Sequence, residues 1–265
     1  MKELKQNLYF LRKLVITNMK AAYSLKVAFY LRMLFMLLNN ALMLILWIVI
    51  FNRYKIIGGW SMDEFLLMTA VIHIGFAAHV IFSYGLGQNL ARYIAQGEID
   101  NYILQPKNII LNIAGSKSQP SGFGDLATGI ILLGFSGYAT IKMIPLLILF
   151  AICSYLFFTA TNLIIGSCAF YMNHASKWAQ TIQHMILTIG VMPASIYDGL
   201  TKILIFTVIP VGFISFLPVE IARNPNFAEI GYMVGGNMIL LFFALWFFYN
   251  GLNRYESGNR FGVRD

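Results

Sequence analysis

The chain has 265 residues, of which 58% are hydrophobic and 11% charged, and its mean hydropathy is +0.69. Those values exclude a soluble catalytic domain and point to a bilayer-embedded one, because several apolar runs exceed the roughly 18 residues that span hydrocarbon. The net charge of +8 is accounted for by basic loops beside anionic lipid headgroups, so no nucleic-acid partner is expected.

In chain order, residues 1–26 come first. Leu4, Leu8, Leu11, Val15, Met19 and Ala22 recur three to four apart among Lys2, Lys5, Arg12, Lys13 and Lys20, which predicts an amphipathic helix lying in the membrane interface. Apolar runs then follow over Met33 to Phe51, Phe65 to Tyr84, Leu126 to Ile141, Leu146 to Tyr171, Ala179 to Ile196, Ile203 to Phe216 and Ile230 to Tyr249. They are continuously apolar rather than alternating, so helices are predicted and barrel strands are not. Ser61 precedes the second run as an N-cap, with Asp63 and Glu64 placed to favour the positive end of the helix dipole.

Residues 85–125 form the longest segment between runs. Leu90, Tyr93 and Ile94, then Ile99, Tyr102, Ile103 and Leu104, recur at helical spacing, so two short helices are predicted. Gly97 breaks the chain between them and Pro106 stops the second. Gly115 to Gly124, rich in Gly and Ser, reads as a flexible connection into the third run. Residues 193–229 hold Pro193, Pro210, Pro218 and Pro225, a broken apolar stretch of the kind tolerated only where it is buried in protein or lines a cavity.

Charge fixes the count of crossings. Both the N-terminal segment and the tail, residues 250–265, are basic, and Lys and Arg gather on the cytoplasmic side. An even number of crossings follows, and Ile203 to Phe216, short and interrupted by Pro210, is the run to demote. The expected fold is an all-α membrane protein with six transmembrane helices, an N-terminal amphipathic interfacial helix, and a re-entrant outer hairpin between spans five and six. On that topology 14 of the 19 Lys and Arg residues lie inside and 5 outside, with both termini cytoplasmic.

No GxxxxGK followed by Ser or Thr occurs, so ATP energy must come from another subunit. No HExxH occurs, the two cysteines (Cys153 and Cys168) sit in one apolar run, and no metal site is expected. Gly134-Phe135-Ser136-Gly137 matches the GxSG pattern of rhomboid intramembrane serine proteases, with His184 as the base two spans later. The two side chains are expected at different depths, which argues against that alternative. A structural assembly protein is the other alternative. The intramembrane polar residues Asn39, Asn40, His73, Asn162, Gln183 and His184 are the candidates to line a path, since such groups face the bundle interior or water. No charge is read as lying deep in a span.

Several segments, in order, resemble the permease subunits of type-2 ABC exporters. They are Gly97-Glu98-Ile99-Asp100-Asn101-Tyr102-Ile103-Leu104-Gln105-Pro106, Gly124-Asp125-Leu126, Met192 to Tyr197, Ile209 to Glu220, and Arg254-Tyr255-Glu256-Ser257-Gly258-Asn259. The last is similar to a C-terminal signature of one branch. The resemblance implies a non-catalytic permease in the bacterial plasma (inner) membrane. It implies a dimer with an identical or different second permease, docked on a dimer of ABC ATPases that bind ATP and Mg. It makes Glu98, Ile99, Asp100, Tyr102, Leu104 and Pro106 the ATPase-coupling residues, with Glu98 and Asp100 polar and Ile99, Tyr102 and Leu104 the apolar seat. It assigns Pro193, Tyr197, Pro210, Pro218 and Glu220 to the outer re-entrant segment, and Arg254, Tyr255, Glu256, Gly258 and Asn259 to the signature that fastens the last span or touches the ATPase.

Overall fold

A computed structural model describes residues 2–192, 197, 199–207 and 210–256. The described residues are helical, with no strand beyond an isolated bridge between Ile57 and Trp60. The helices are α1 (Lys2–Tyr23), α2 (Lys26–Arg53), α3 (Met62–Phe82), α4 (Gln88–Ala95), α5 (Asp100–Ile103), α6 (Ile109–Gly115), α7 (Ser121–Phe135), α8 (Ile144–Ser167), α9 (Ala175–Gly190), α10 (Gly199–Thr207), α11 (Gly212–Arg223) and α12 (Phe227–Leu252). A 3-10 turn, Cys168–Phe170, extends α8.

Four helices are long and apolar enough to cross a membrane: α2, α3, α8 with its 3-10 turn, and α12. The shorter α7 is apolar as well. Their burial differs as their positions require. α3 is apolar on all sides and buried for most of its length, whereas α2 and α12 are largely exposed. Leu34, Phe35, Leu42 and Ile45 on α2, and Ile239, Phe242 and Trp246 on α12, present an apolar outer face. That surface belongs against lipid, where hydrophobic side chains carry no exposure penalty.

Close approach between helices depends on small residues, the common device of helix pairs in lipid. A Cβ on Gly75 of α3 would overlap the Ser154 side chain of α8 and come within 2.7 Å of the Ser154 carbonyl carbon. On α7, a Cβ on Gly129 would lie 3.1 Å from the Ala70 carbonyl oxygen, and one on Gly122 3.2 Å from that of Ala77. Seven residues separate these glycines, so they line one stripe of α7, and α3 lies directly along it.

Helix ends gather at two poles. At the first, Leu86, Leu90 and Ile94 meet Ile113, Leu163 and Phe248, the last two near the ends of α8 and α12. At the second, Phe51, Trp60 and Phe65 meet Ile186, Val211 and Ile214. The pairs Gly122 with Ile81, Gly75 with Ser154, and Met233 with Leu67 set the directions. α2, α3, α7, α8, α9 and α12 alternate in running from one pole to the other.

The second pole is latched by charge. Arg223, ending α11, donates from Nε to Glu64 Oε1, from Nη2 to Glu64 Oε2 (2.8 Å) and the Gly59 carbonyl (2.7 Å), and from Nη1 to Glu220 Oε1 (2.8 Å). Glu64 also closes a capping box: Ser61 N donates to its Oε2 (2.8 Å) and its own N donates to Ser61 Oγ (3.4 Å). The predicted N-cap is present, but the latch spans 159 residues of sequence and no local pattern announces it.

Two expectations need correction. Gly115 to Gly124 is not a loose connection: α6 reaches Gly115, α7 starts at Ser121, and between them Gln119 N donates to the Val80 carbonyl (3.2 Å). Its glycines serve close packing rather than freedom. The run Ile203 to Phe216 is interrupted at Pro210 as its sequence suggested, with α10 and α11 flanking that buried proline. α11 then continues through Pro218 to Arg223. Pro218 removes one helical hydrogen bond, an interruption offset by burial of Ile214, Val219 and Ile221. α1 ends at Tyr23, and the first long helix already begins at Lys26, seven residues before the predicted start.

Candidate functional site

A cavity of about 370 Å³ opens between α2, α3, α7 and α9. Four of the six predicted path residues, Asn39, Asn40, His73 and His184, line it, joined by Thr69, Asp125, Thr128 and Thr188. Its remaining walls include Trp47, Phe65 and Phe76. The volume falls in the range of small-molecule sites, roughly 300–1,000 Å³, and the mixture of apolar walls with a few polar groups is typical of them. Two predicted path residues lie elsewhere. Asn162 is buried at the junction of α8 and α4, where its Nδ2 donates to the Phe158 carbonyl (2.9 Å) and its own carbonyl accepts from Gly87 N (3.0 Å). Gln183 is half-buried on α9 and is not part of the cavity wall.

The residue that sequence reasoning missed here is Asp125. Its side chain, 2% exposed, sits one turn into α7, although no deep charge was expected. Asn40 Nδ2 donates to its Oδ1 (2.9 Å) and to Thr128 Oγ1 (3.1 Å), and Thr128 Oγ1 donates to the Gly124 carbonyl (2.9 Å). Among the described residues Asp125 Oδ2 has no hydrogen-bond partner, and no Lys or Arg forms an ion pair with Asp125. Nearby, His73 Nδ1 lies 2.8 Å from the Thr69 carbonyl. A carbonyl only accepts, so that nitrogen carries a proton.

A buried carboxylate without a balancing cation is costly. Asp125→Asn keeps an oxygen for Asn40 and removes the burden of charge. It is therefore expected to leave the fold intact and to raise stability in detergent by about 1 kcal/mol. Thermal unfolding of the purified full-length chain checks this, and a loss of stability would require a cation at the site.

The loop at the first pole divides into an anchored side and a presented side. α4 ends at Ala95, Gly97 takes φ +74, and the chain turns so that Ile99 N donates to the Tyr93 carbonyl (3.1 Å). α5, four residues long, follows. Ile99 is fully buried, and Tyr102 packs on Tyr93 with ring centroids 5.2 Å apart. Burial pushes the Tyr102 hydroxyl up to about 12, so it stays neutral. Ile99 is thus turned into the protein after Gly97, and Tyr102 is half-buried against Tyr93. Glu98, Ile103, Leu104 and Pro106 are exposed, Leu104 by 83%, while Asp100 is half-buried. Asn112 Nδ2 donates to Gln105 Oε1 (2.6 Å), and Lys107 lies over the Phe10 ring of α1 (5.4 Å), so the loop is braced from both sides.

The outer and C-terminal candidates are placed in part. Tyr197 Oη donates to the Ile189 carbonyl (3.4 Å), Pro210 is buried, Pro218 is inside α11, and Glu220 accepts from Arg223. Arg254 lies over the Tyr171 ring (5.7 Å) and Tyr255 packs edge-on against Phe170 (6.1 Å). Glu256 is exposed. Pro193, Gly258 and Asn259 lie outside the described residues.

Ser136 closes α7 with its Oγ donating to the Leu133 carbonyl (2.7 Å) and accepting from Tyr138 N (3.3 Å). Among the described residues no hydrogen bond joins it to His184, which lines the cavity from α9. The geometry gives no support to a serine nucleophile.

Comparison with known proteins returns one family. The model of the family described as "ABC-2 family transporter protein" matches residues 37–259. No curated protein and no solved structure matches the chain.

Proposed function

The chain belongs to the ABC-2 transporter family, which makes it a multi-pass membrane permease of an ABC transporter, and on that premise we propose that it forms half of an export path driven by separate ATPase subunits. The family implies an ABC ATPase partner. In the proposed complex two permeases, identical or different, sit in the bacterial plasma membrane above a pair of ATPases that bind ATP and Mg. The alternating direction of α2, α3, α7, α8, α9 and α12 supports six crossings. The basic first pole then faces the cytoplasm with both termini, and α10 and α11 form the re-entrant outer segment around Pro210.

The observation that carries the coupling role is the two-sided loop at the first pole. Glu98, Ile103, Leu104 and Pro106 present a mixed surface of the kind a soluble partner grips, with Asp100 at its edge. Ile99 and Tyr102 tie that surface to Tyr93 of α4, so a push on it moves the spans rather than the loop alone. The cavity bounded by Asn39, Asn40, His73, Asp125 and His184 is the proposed substrate path. Arg254, Tyr255 and Glu256 fasten the cytoplasmic end of α12 to the 3-10 turn.

Affinity purification of the full-length chain from its native membrane, with every retained subunit identified, tests the assembly. A stoichiometric ABC ATPase is expected. Recovery of the chain without one, under mild detergent, would overturn the reading.

A further inference from the structure

A second cavity, about 610 Å³, lies between the interfacial helix and the bundle. α1 covers it with Val15 and Met19, and α3 and α7 close it with Ala78, Ile81, Phe123 and Leu126. Apart from Lys20 and Tyr23, every side chain lining it is apolar. Beside its mouth, the Lys26 ammonium lies over the Tyr23 ring at 5.9 Å. Lys20 and Lys26 are exposed, and neither has an acidic partner among the described residues.

We propose that this slot is a specific phospholipid site, holding one acyl chain of an anionic lipid while Lys20 and Lys26 contact its phosphate.

The occupant follows from the position and chemistry of the walls. An elongated hydrocarbon fits a cavity whose lining is almost wholly apolar, and its neighbours in the interface are acyl chains. Two unpaired ammonium groups at the mouth select a negative headgroup, the attraction that draws basic juxtamembrane segments to anionic leaflets. A second copy of this chain is a poor occupant, because it would bring the same positive charge to the same place. The lipid bridges α1 to α3 and α7, filling space that protein atoms leave open. The inference requires only that the chain sits in a membrane, so it stands or falls separately from association with an ATPase.

Competition between phosphatidylglycerol and phosphatidylcholine of identical acyl chains tests it. The lipids retained by the purified full-length chain are counted by native mass spectrometry. The wild-type chain is expected to retain phosphatidylglycerol at least five-fold over phosphatidylcholine, and Lys20→Gln/Lys26→Gln to bring that ratio within two-fold while keeping lipid bound. Met19→Trp, which fills the slot from the peripheral helix and leaves the bundle untouched, is expected to lose both lipids. Excess soluble glycerophosphate is expected to displace neither. Equal retention of the two lipids by the wild-type chain overturns the headgroup contact. Undiminished retention by Met19→Trp overturns the slot, and displacement by glycerophosphate makes the site one for free phosphate instead.

Discussion

Replacing Glu98 by Gln together with Ile103 and Leu104 by Ser is expected to leave the permease folded and inserted but to reduce transport at least ten-fold, with ATP hydrolysis by the partner continuing. The three side chains are exposed, so their loss spares the packing within the chain and removes the contacts proposed with the ATPase. Burying an aliphatic side chain of this size against a partner contributes about 1.5–3 kcal/mol, and about 1.4 kcal/mol suffices for a ten-fold change in an equilibrium. Reconstituted proteoliposomes containing both subunits allow transport and ATPase activity to be measured on one sample. Unchanged transport in the triple variant would remove this loop from the coupling route. Ile99→Ala gives the contrasting outcome. Its side chain is fully buried among Leu90, Ile94 and Ile113, so it is expected to lower stability by about 2–5 kcal/mol, visible in thermal unfolding before any assay of transport.

The second large effect concerns Gly75. Leucine at this position is expected to abolish accumulation of folded protein, and alanine to cost about 1–3 kcal/mol, the range of overpacking in a close-packed interior. The added carbon would overlap Ser154 and approach its backbone within 2.7 Å, so rotation of one side chain cannot relieve the clash. α3 and α8 would have to separate, and α3 is the most buried of the four long helices. Gly134→Ala and Gly235→Ala provide the comparison, because a Cβ at either meets nothing within 4 Å. Both are expected to accumulate as the wild type does. Fluorescence-detected size exclusion of tagged chains ranks all four variants, and normal accumulation of Gly75→Leu would contradict the observed approach of α3 and α8.

Legibility in the sequence followed the range of the interactions. The amphipathic pattern from Leu4 to Ala22 is a property of consecutive residues, and α1 forms over it. Ser61 and Glu64 are three apart, and the cap forms as their spacing predicts. Asp125 illustrates the opposite case. It borders the predicted third span, where a carboxylate reads as an interfacial group, and it is buried because Asn40, 85 residues earlier, is brought to it by the packing of α7 on α2. Ile99 fits the same account. Its spacing from Tyr102 and Leu104 suggests a shared face, but after the positive φ at Gly97 Ile99 is buried while Leu104 emerges.

By itself the sequence determined the membrane class, the approximate positions of the long apolar helices, and the lack of a phosphate-loop motif, because each depends on composition or on neighbours within a turn or two. The tertiary structure alone decided which polar residues share a cavity, which side of the loop at the first pole is presented, and where the basic α1 leaves a slot. Those outcomes depend on helix pairs meeting at small residues and on contacts such as that of Arg223 with Glu64, whose partners lie far apart in the chain and carry no local pattern.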